Sequence, residues 1–341
     1  MSTHVTRRSL IRGITAATAV ATLATGLTAC GGDSAAATKT DDVGSGSVTI
    51  GQLSHGAAKE VTLKVSEVKS ISAELPAAVR KSGKLVIGHG ALPSGSAPLD
   101  YVGDDQKTLT GSETDIGRLV AAVLGLEPQS QNFTWENLFI GVDSGKVDVA
   151  FSNVTDTEER KRKYEFASYR QDNLAFEVLK SSKWRFDGNY RNLAGKTVEV
   201  GSGTNQERIL IEWQRKLQSE GKTLTIKHYP DNNGVYQALS SGRIDAHFGP
   251  NPTISYHITQ TAKTPSPTAN AGTFSGAGAS LQGLIAATSK KGSGLAKPIA
   301  DAINYLIENG QYAKWLAAWN LSNEAVAKSE VNPPGLPLDN S

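Results

Sequence analysis

The stretch Asp148-Val-Ala-Phe-Ser-Asn-Val-Thr-Asp-Thr-Glu-Glu-Arg160 is an apolar strand that runs out into small polar residues and then into a charged helix start. A strand end feeding a helix N-terminus presents unpaired backbone N–H groups and a partial positive charge, and Arg160, one turn in, adds five donors of its own. These features predict a carboxylate receptor. Outward from this stretch the chain alternates strands and helices. Strand 85–88, helix 113–124, helix 137–142 and strand 147–151 are followed by segment 164–167 and a long apolar strand, 174–179. The pattern then restarts with strand 196–200, the turn Gly201-Ser-Gly-Thr204, helix 206–218, strand 223–228, helix 235–239 and strand 244–248. Such alternation predicts an α/β fold with a mostly parallel sheet and helices on its faces. Two short units look alike, Asp143-Ser-Gly-Lys-Val-Asp-Val-Ala-Phe151 and Ser240-Ser-Gly-Arg-Ile-Asp-Ala-His-Phe248. Their shared punctuation predicts two lobes of related build.

Composition narrows the function. The chain has 341 residues, 38% hydrophobic and 20% charged, enough to bury the core of two lobes. Its formal charge of +2 includes Arg7, Arg8 and Arg12 of an N-terminal leader without acids, so the remainder carries 32 basic against 33 acidic residues. Nothing in that balance points to a nucleic-acid partner.

The first thirty residues read as an export address. Thr6-Arg-Arg-Ser-Leu-Ile-Arg12 is similar to a twin-arginine signal. The mildly apolar run 13–29, too short for a stable membrane span, ends in Leu27-Thr-Ala-Cys30, which resembles a lipobox whose cysteine is acylated. Cys30 is the single cysteine, so the exported part has no thiol for disulfides, metal sites or nucleophilic chemistry. Residues 31–82 are expected to form a flexible tether and N-terminal arm. Up to Ser54 the segment is almost without large apolar residues and cannot offset its ordering entropy. Residues 61–68 alternate apolar and polar as a strand would, and Pro76 to Arg80 read as a brief helix stopped at Ser82-Gly83. The role of 55–82 stays open at this level.

The ordered set Gly83-Lys-Leu-Val-Ile-Gly88, Gly111-Ser-Glu-Thr-Asp-Ile-Gly117, Ser144-Gly-Lys-Val-Asp148, Thr155-Asp-Thr-Glu-Glu-Arg160, Leu193-Ala-Gly-Lys-Thr-Val198, Ser241-Gly-Arg-Ile-Asp-Ala246 and Asn309-Gly-Gln-Tyr-Ala-Lys-Trp315 resembles extracellular solute-binding protein family 3. These are the amino acid receptors of ATP-binding-cassette importers. The resemblance implies a two-lobed periplasmic-binding-protein-like fold of type II. Residues 83–177 and 274–325 would form lobe 1, residues 178–273 lobe 2, and residues 326–341 a Pro-rich tail. It further implies a monomer without cofactor or metal. Such a protein, lipid-anchored on the extracytoplasmic face of the cell membrane, would capture an amino acid or related small carboxylate by closure of its cleft and deliver it to a permease.

By the same resemblance, Arg160 matches the arginine that grips the ligand carboxylate. Asn153 and Thr155 match polar contacts of the same loop, and Thr204 and Asn205 match the second-lobe anion contact. The family's usual ammonium acceptor falls near Pro250, an acid sometimes found after the first strand falls near Gly90, and the common aromatic wall falls at Leu99, with Tyr101 two residues on. Asn251, Glu113 or Asp100 are the available replacements for the missing acid. Otherwise the ligand has a carboxylate and no free α-amino group, and standard amino acids should bind weakly.

An enzyme on this fold, such as an exported dehydratase with Glu113 as general acid, is the alternative, as is a ligand sensor. His89, His228, His247 and His257 lack metal-ligand spacing and read as surface or satisfied-core residues. Replacing Cys30 by alanine is expected to release the protein from the membrane fraction and block its processing. A variant equally membrane-bound and equally processed, by fractionation and mass of the mature chain, would refute the anchor.

Overall fold

The computed structural model describes residues 46–338; the expected signal, Cys30 and the tether up to residue 45 lie outside them. The described end of the expected tether is built into lobe 1. Strand β1 (Ser47–Ile50) pairs antiparallel with β2 (Val61–Lys64), and Val48, Ile50, Leu63 and Val65 all enter the lobe-1 core. Two alternating apolar residues, Val48 and Ile50, are too weak a signal to read alone; the neighbouring strand makes them a pair. Helices α1 (Lys69–Ser72) and α2 (Ala77–Ser82) follow, the latter ended by Gly83 in the left-handed region at φ 67°.

Each lobe then repeats one plan. Lobe 1 runs through β3 (Lys84–Leu92), the short pair β4 (Tyr101–Val102) and β5 (Leu109–Thr110), α3 (Ser112–Val123), β6 (Glu127–Thr134), α4 (Trp135–Asp143) and β7 (Val149–Ala150). Strand β8 (Tyr164–Leu179) crosses to lobe 2, which runs through β9 (Thr197–Val200), α5 (Asn205–Ser219), β10 (Thr225–Lys227), α6 (Asn232–Ser240), β11 (Ala246–Pro250), α7 (Asn251–Thr261) and β12 (Thr268–Ser275). The chain returns to lobe 1 with β13 (Gly283–Lys290), α8 (Ala296–Glu308) and α9 (Gln311–Ala318). One sheet runs through both lobes in the order β10-β9-β11-β8-β13-β7-β3-β6, with β12 also on β8.

The two Ser-Gly units do the same work in each lobe. Asp148 accepts a hydrogen bond from the Val86 N–H at 2.8 Å, and Asp245 accepts one from the Thr197 N–H at 2.7 Å. Each aspartate thus pins the start of a new strand beside the lobe's first strand, with β7 parallel to β3 and β11 parallel to β9. On α3 the spacing of Ile116, Leu119, Val120 and Val123 turns one face inward, against Leu85 and Ile87 of β3 and Trp315 of α9. Lobe 2 has its own core, where Phe176 stacks on Phe248 at 4.2 Å between Phe186 and Trp213.

β8 differs from the sequence expectation, which split it into two pieces around the polar run Ser168 to Asn173. The strand is continuous because its buried charges are answered: Arg170 by Glu113 and Glu324, and Asp172 by Thr155 and Asn205. Its pairing passes from β13 to β12 and β11 at Asp172–Asn173.

The expected tail also differs, since its described part is a strap across both lobes. Ser168 and Glu330 exchange backbone and side-chain hydrogen bonds, Asn332 pairs with Phe166, and Val331 bridges Ala167 along the free edge of β8. Farther on, Leu336 pairs with Asp156 and Glu158 of the loop before Arg160, while its side chain, fully buried, belongs to the lobe-2 core. Arg208 of α5 donates to the Pro337 carbonyl. Pro333-Pro334 favours an extended course, which lets one apolar residue reach the other lobe.

Two outcomes follow from this packing. Leu336→Ala is expected to cost about 2–5 kcal/mol in urea unfolding, the range for a truncated buried leucine; a loss under about 0.5 kcal/mol would mean the strap is a surface appendage. The second outcome concerns Asp156, buried beneath Gly335 with neither carboxylate oxygen accepting a hydrogen bond and only Lys161 Nζ near, at 3.5 Å. Burial pushes its carboxyl up to about 7. The folded chain therefore holds this proton to higher pH than the unfolded chain, and the stability it contributes is lost as pH rises from about 4 through about 7. Asp156→Asn is expected to flatten that decline, and an unchanged slope in unfolding across this range would contradict the assignment.

Candidate ligand-binding cleft

The loop that leaves β7 is tied down residue by residue. Ser152 Oγ accepts the Gly90 N–H and donates to Asp100, each at 2.7 Å. Asn153 takes a left-handed backbone at φ 51°, its N–H donates to Glu113 at 2.8 Å, and its side-chain oxygen accepts from Arg170. Thr155 Oγ1 donates to Asp172 at 2.7 Å. The charged end of the loop is a three-residue 3-10 turn, Arg160–Arg162, rather than the helix start read from the sequence. No helix N-terminus is therefore aimed at the cleft from this loop, and its positive charge is the Arg160 guanidinium itself.

Arg160 is fixed at the boundary of the lobes. Its Nη1 donates to the Thr155 carbonyl at 2.9 Å and its Nη2 to the Gly203 carbonyl of lobe 2 at 3.3 Å. The guanidinium lies over Trp135 and Phe139, 5.4 and 5.1 Å from the ring centroids. Burial lowers its pKa to about 10, so it stays charged at neutral pH. Beside it a groove of about 700 Å³ opens between the 3-10 turn, α5 and the strap.

Across the boundary, Thr204 caps α5 by accepting the Glu207 N–H at 3.2 Å, and Glu207 accepts the Gly203 N–H at 2.7 Å. The Thr204 side chain is thereby committed to the helix. Asn205, nearly buried, donates from Nδ2 to Asp172 and to the Gly276 carbonyl, both at 3.0 Å. Arg160, Thr155, Thr204 and Asn205, expected from distant parts of the chain, are thus brought to one place, with Asn153 anchored behind the loop.

Other expected residues lie elsewhere. Leu99 is buried in lobe 1, and Tyr101 sits in the lobe-1 core with its hydroxyl on the Ser54 carbonyl at 2.8 Å and an edge-to-face contact with Trp319. Neither forms an aromatic wall. The aromatic that does stand beside Arg160 is Trp135, which the sequence analysis did not single out; its Nε1 donates to the Gly203 carbonyl at 3.2 Å. At Gly90 the close neighbour is Ser152 Oγ, which a Cβ would approach to 3.2 Å, while the Trp135 ring would lie at an ordinary contact distance of 3.5 Å. An aromatic directly after an N-capping threonine, Thr134, was the available signal.

Of the replacement acids, Glu113 is enclosed by Arg170 at 3.0 Å, the Asn153 N–H and the Tyr169 hydroxyl, and supports the loop from behind. Asp100 is engaged by Ser152 and by His89 at 3.1 Å. Asn251 opens α7, and its Oδ1 accepts from Ser255 and Asn270 at 3.4 and 3.5 Å. The histidines are paired as core or surface residues: His228 with Glu207 and His257 with Glu177, each at 2.6 Å, and His247 with Glu199. Among the described residues no cluster of three or more candidate ligands could hold a metal.

Comparison with known proteins agrees with this architecture. The family of bacterial extracellular solute-binding proteins, family 3, matches residues 90–322. The L-cystine-binding protein TcyJ of Escherichia coli (strain K12) is 34% identical over 170 residues, 49% of this chain and 59% of that protein, so the chain spans only part of that relative's length. The arginine-binding protein ArgT of Corynebacterium glutamicum is 26% identical over 78% of this chain and 83% of its own. The amino acid ABC transporter substrate-binding protein AbpA of Streptococcus pneumoniae, bound to L-arginine, superposes with a TM-score of 0.58 at 26% identity, covering 72% of this chain and 98% of that one. An ancestral amino acid-binding protein, AncCDT-1, a precursor of cyclohexadienyl dehydratase, shares the fold at a TM-score of 0.58 and 22% identity, covering 71% and 97%. The family match takes in the loop before Arg160, the α5 turn and both crossings between lobes, and the chain belongs to the bacterial extracellular solute-binding proteins, family 3.

Proposed function

We propose that this protein is the lipid-anchored substrate-binding component of an ATP-binding-cassette importer, held at the extracytoplasmic membrane face through Cys30, and that as a monomer it captures an amino acid or related small carboxylate between its lobes. The observation that carries this reading is Arg160, a partly buried cation on the lobe boundary with one donor on its own lobe and one on the Gly203 carbonyl of the other. A ligand carboxylate that takes over those donors would draw the two lobes onto itself, which is how cleft closure couples to binding. The cystine-binding TcyJ, the arginine-binding ArgT and the ABC transporter protein AbpA, bound to L-arginine, lend support to an amino acid ligand and a permease partner. The enzyme reading is weaker because its general acid, Glu113, is fully buried and already bonded to Arg170.

A thermal-shift screen of small carboxylates, with and without an amino group, should give at least one compound that raises the melting temperature. For that compound, Arg160→Ala is expected to weaken binding by about 2–5 kcal/mol, roughly thirty-fold to several thousand-fold, in calorimetry. Unchanged affinity in the variant would remove Arg160 from the site.

A further inference from the structure

Lobe 2 carries charge inside the layer between its sheet and helices α6 and α7. Glu199 of β9, His247 of β11 and Glu177 of β8 are neighbours in register across three strands, so their side chains share one face of the sheet. All three are buried, the two glutamates almost completely. His247 Nδ1 is hydrogen-bonded to Glu199, and His257 of α7 brings its Nδ1 to 2.6 Å from Glu177. Tyr236 of α6 lies flat on the His257 ring, with 3.5 Å between centroids and 8° between planes. The titratable groups that meet here are thus two carboxylates, two imidazoles and a phenol. Among the described residues neither carboxylate pairs with a lysine or arginine; their ion pairs are with the histidines.

Buried carboxylates are costly without compensating charge, and protonated imidazoles are what this site offers. Burial by itself would lower the pKa of His247, but Glu199, and at longer range Glu177, outweigh it and raise the value above the ordinary 6.5. The stability that this proton contributes is therefore fully present below about 6.5 and is lost as pH rises through the higher folded value. That window lies above the one in which Asp156 acts, which closes at about 7. The helices that cover the cluster also touch lobe 1. Asn232, at the start of α6, donates to the Gly95 carbonyl at 2.7 Å, and Tyr256, next to His257 on α7, packs half-buried against the lobe-1 core. We propose that the Glu177–Glu199–His247–His257 cluster is a pH-sensitive latch: loss of the His247 proton leaves like charges facing one another under α6 and α7, loosens both helices and weakens their hold on lobe 1. The latch needs no ligand and stands independently of the functional reading above.

Hydrogen exchange of the full chain without ligand, at about pH 6 and about pH 9 and corrected for the intrinsic rate, tests it. In the wild type the amides of α6 and α7 are expected to exchange about tenfold faster at the higher pH. Those of α5, which packs on the opposite, apolar face of the same sheet, should not change. The radius of gyration from small-angle scattering should rise over the same interval as the lobes part. His247→Gln keeps a donor for Glu199 but cannot gain or lose a proton, so its exchange rates in α6 and α7 are expected to be the same at both pH values. A variant that keeps the wild-type response would overturn the assignment to His247. In the wild type, equal protection at both pH values, or faster exchange with no change in the radius of gyration, would overturn the latch, and neither of those comparisons needs the variant to fold.

Discussion

Arg170 is nearly inaccessible, in the middle of the strand that joins the lobes, between the carboxylates of Glu113 and Glu324. Removing one partner of such a set leaves a buried charge uncompensated, at a cost of about 3–5 kcal/mol, so the three residues hold or fail together. Each comes from a different part of the chain: Glu113 from the start of α3, Arg170 from β8, and Glu324 from the turn after α9. Their meeting closes lobe 1 around the C-terminal helices. It also orders the loop before Arg160, because Arg170 and Glu113 together take both the side-chain oxygen and the N–H of Asn153. The left-handed backbone of Asn153 is thus over-determined by its surroundings, as strained residues at functional sites usually are.

The contacts between lobes are of a different kind. Trp135 and Arg160 reach the Gly203 carbonyl, Asn205 reaches Asp172, and Asn232 reaches the Gly95 carbonyl at 2.7 Å. Each is a single polar contact with a net worth of about 0.5–1.5 kcal/mol or somewhat more where charged, small enough to be exchanged for contacts with a ligand. The apolar cores stay mainly within their lobes; among the described residues Leu336 joins the lobe-2 core and the half-buried Tyr256 of α7 packs against the lobe-1 core. Stiff lobes with a polar, exchangeable boundary are the physical basis of hinge closure, and the strap adds one apolar link beside the loop that carries Arg160.

Much of this was legible in the chain. Alternating elements, the doubled Ser-Gly-basic-apolar-Asp unit and the inward stripe of α3 all act over a few residues, where hydrogen-bond geometry and helical or strand period determine the outcome. The two aspartates of the repeated unit were visible as repeats, and their role in pinning a strand is the same in both lobes. Arg160, Thr155, Thr204 and Asn205 could be marked as neighbours-to-be through family resemblance, and they do meet.

Other features had no local signal. The polar run from Ser168 to Asn173 looks like a break in a strand until Glu113, Glu324, Thr155 and Asn205 arrive from more than a dozen residues away to satisfy it. Tyr101 reads equally well as a cleft aromatic or a core one, and only packing against Trp319 and Ser54 decides. Leu336, a lone apolar residue among prolines, gives no sign that another lobe's core will receive it. The sequence by itself determined most strands and helices between residues 84 and 248 and the two-lobed plan, since periodicity and caps are short-range. Which buried charges are paired, which aromatic stands by Arg160 and where the last residues lie were decided by tertiary structure, because burial and partnership exist only once distant segments share one interior.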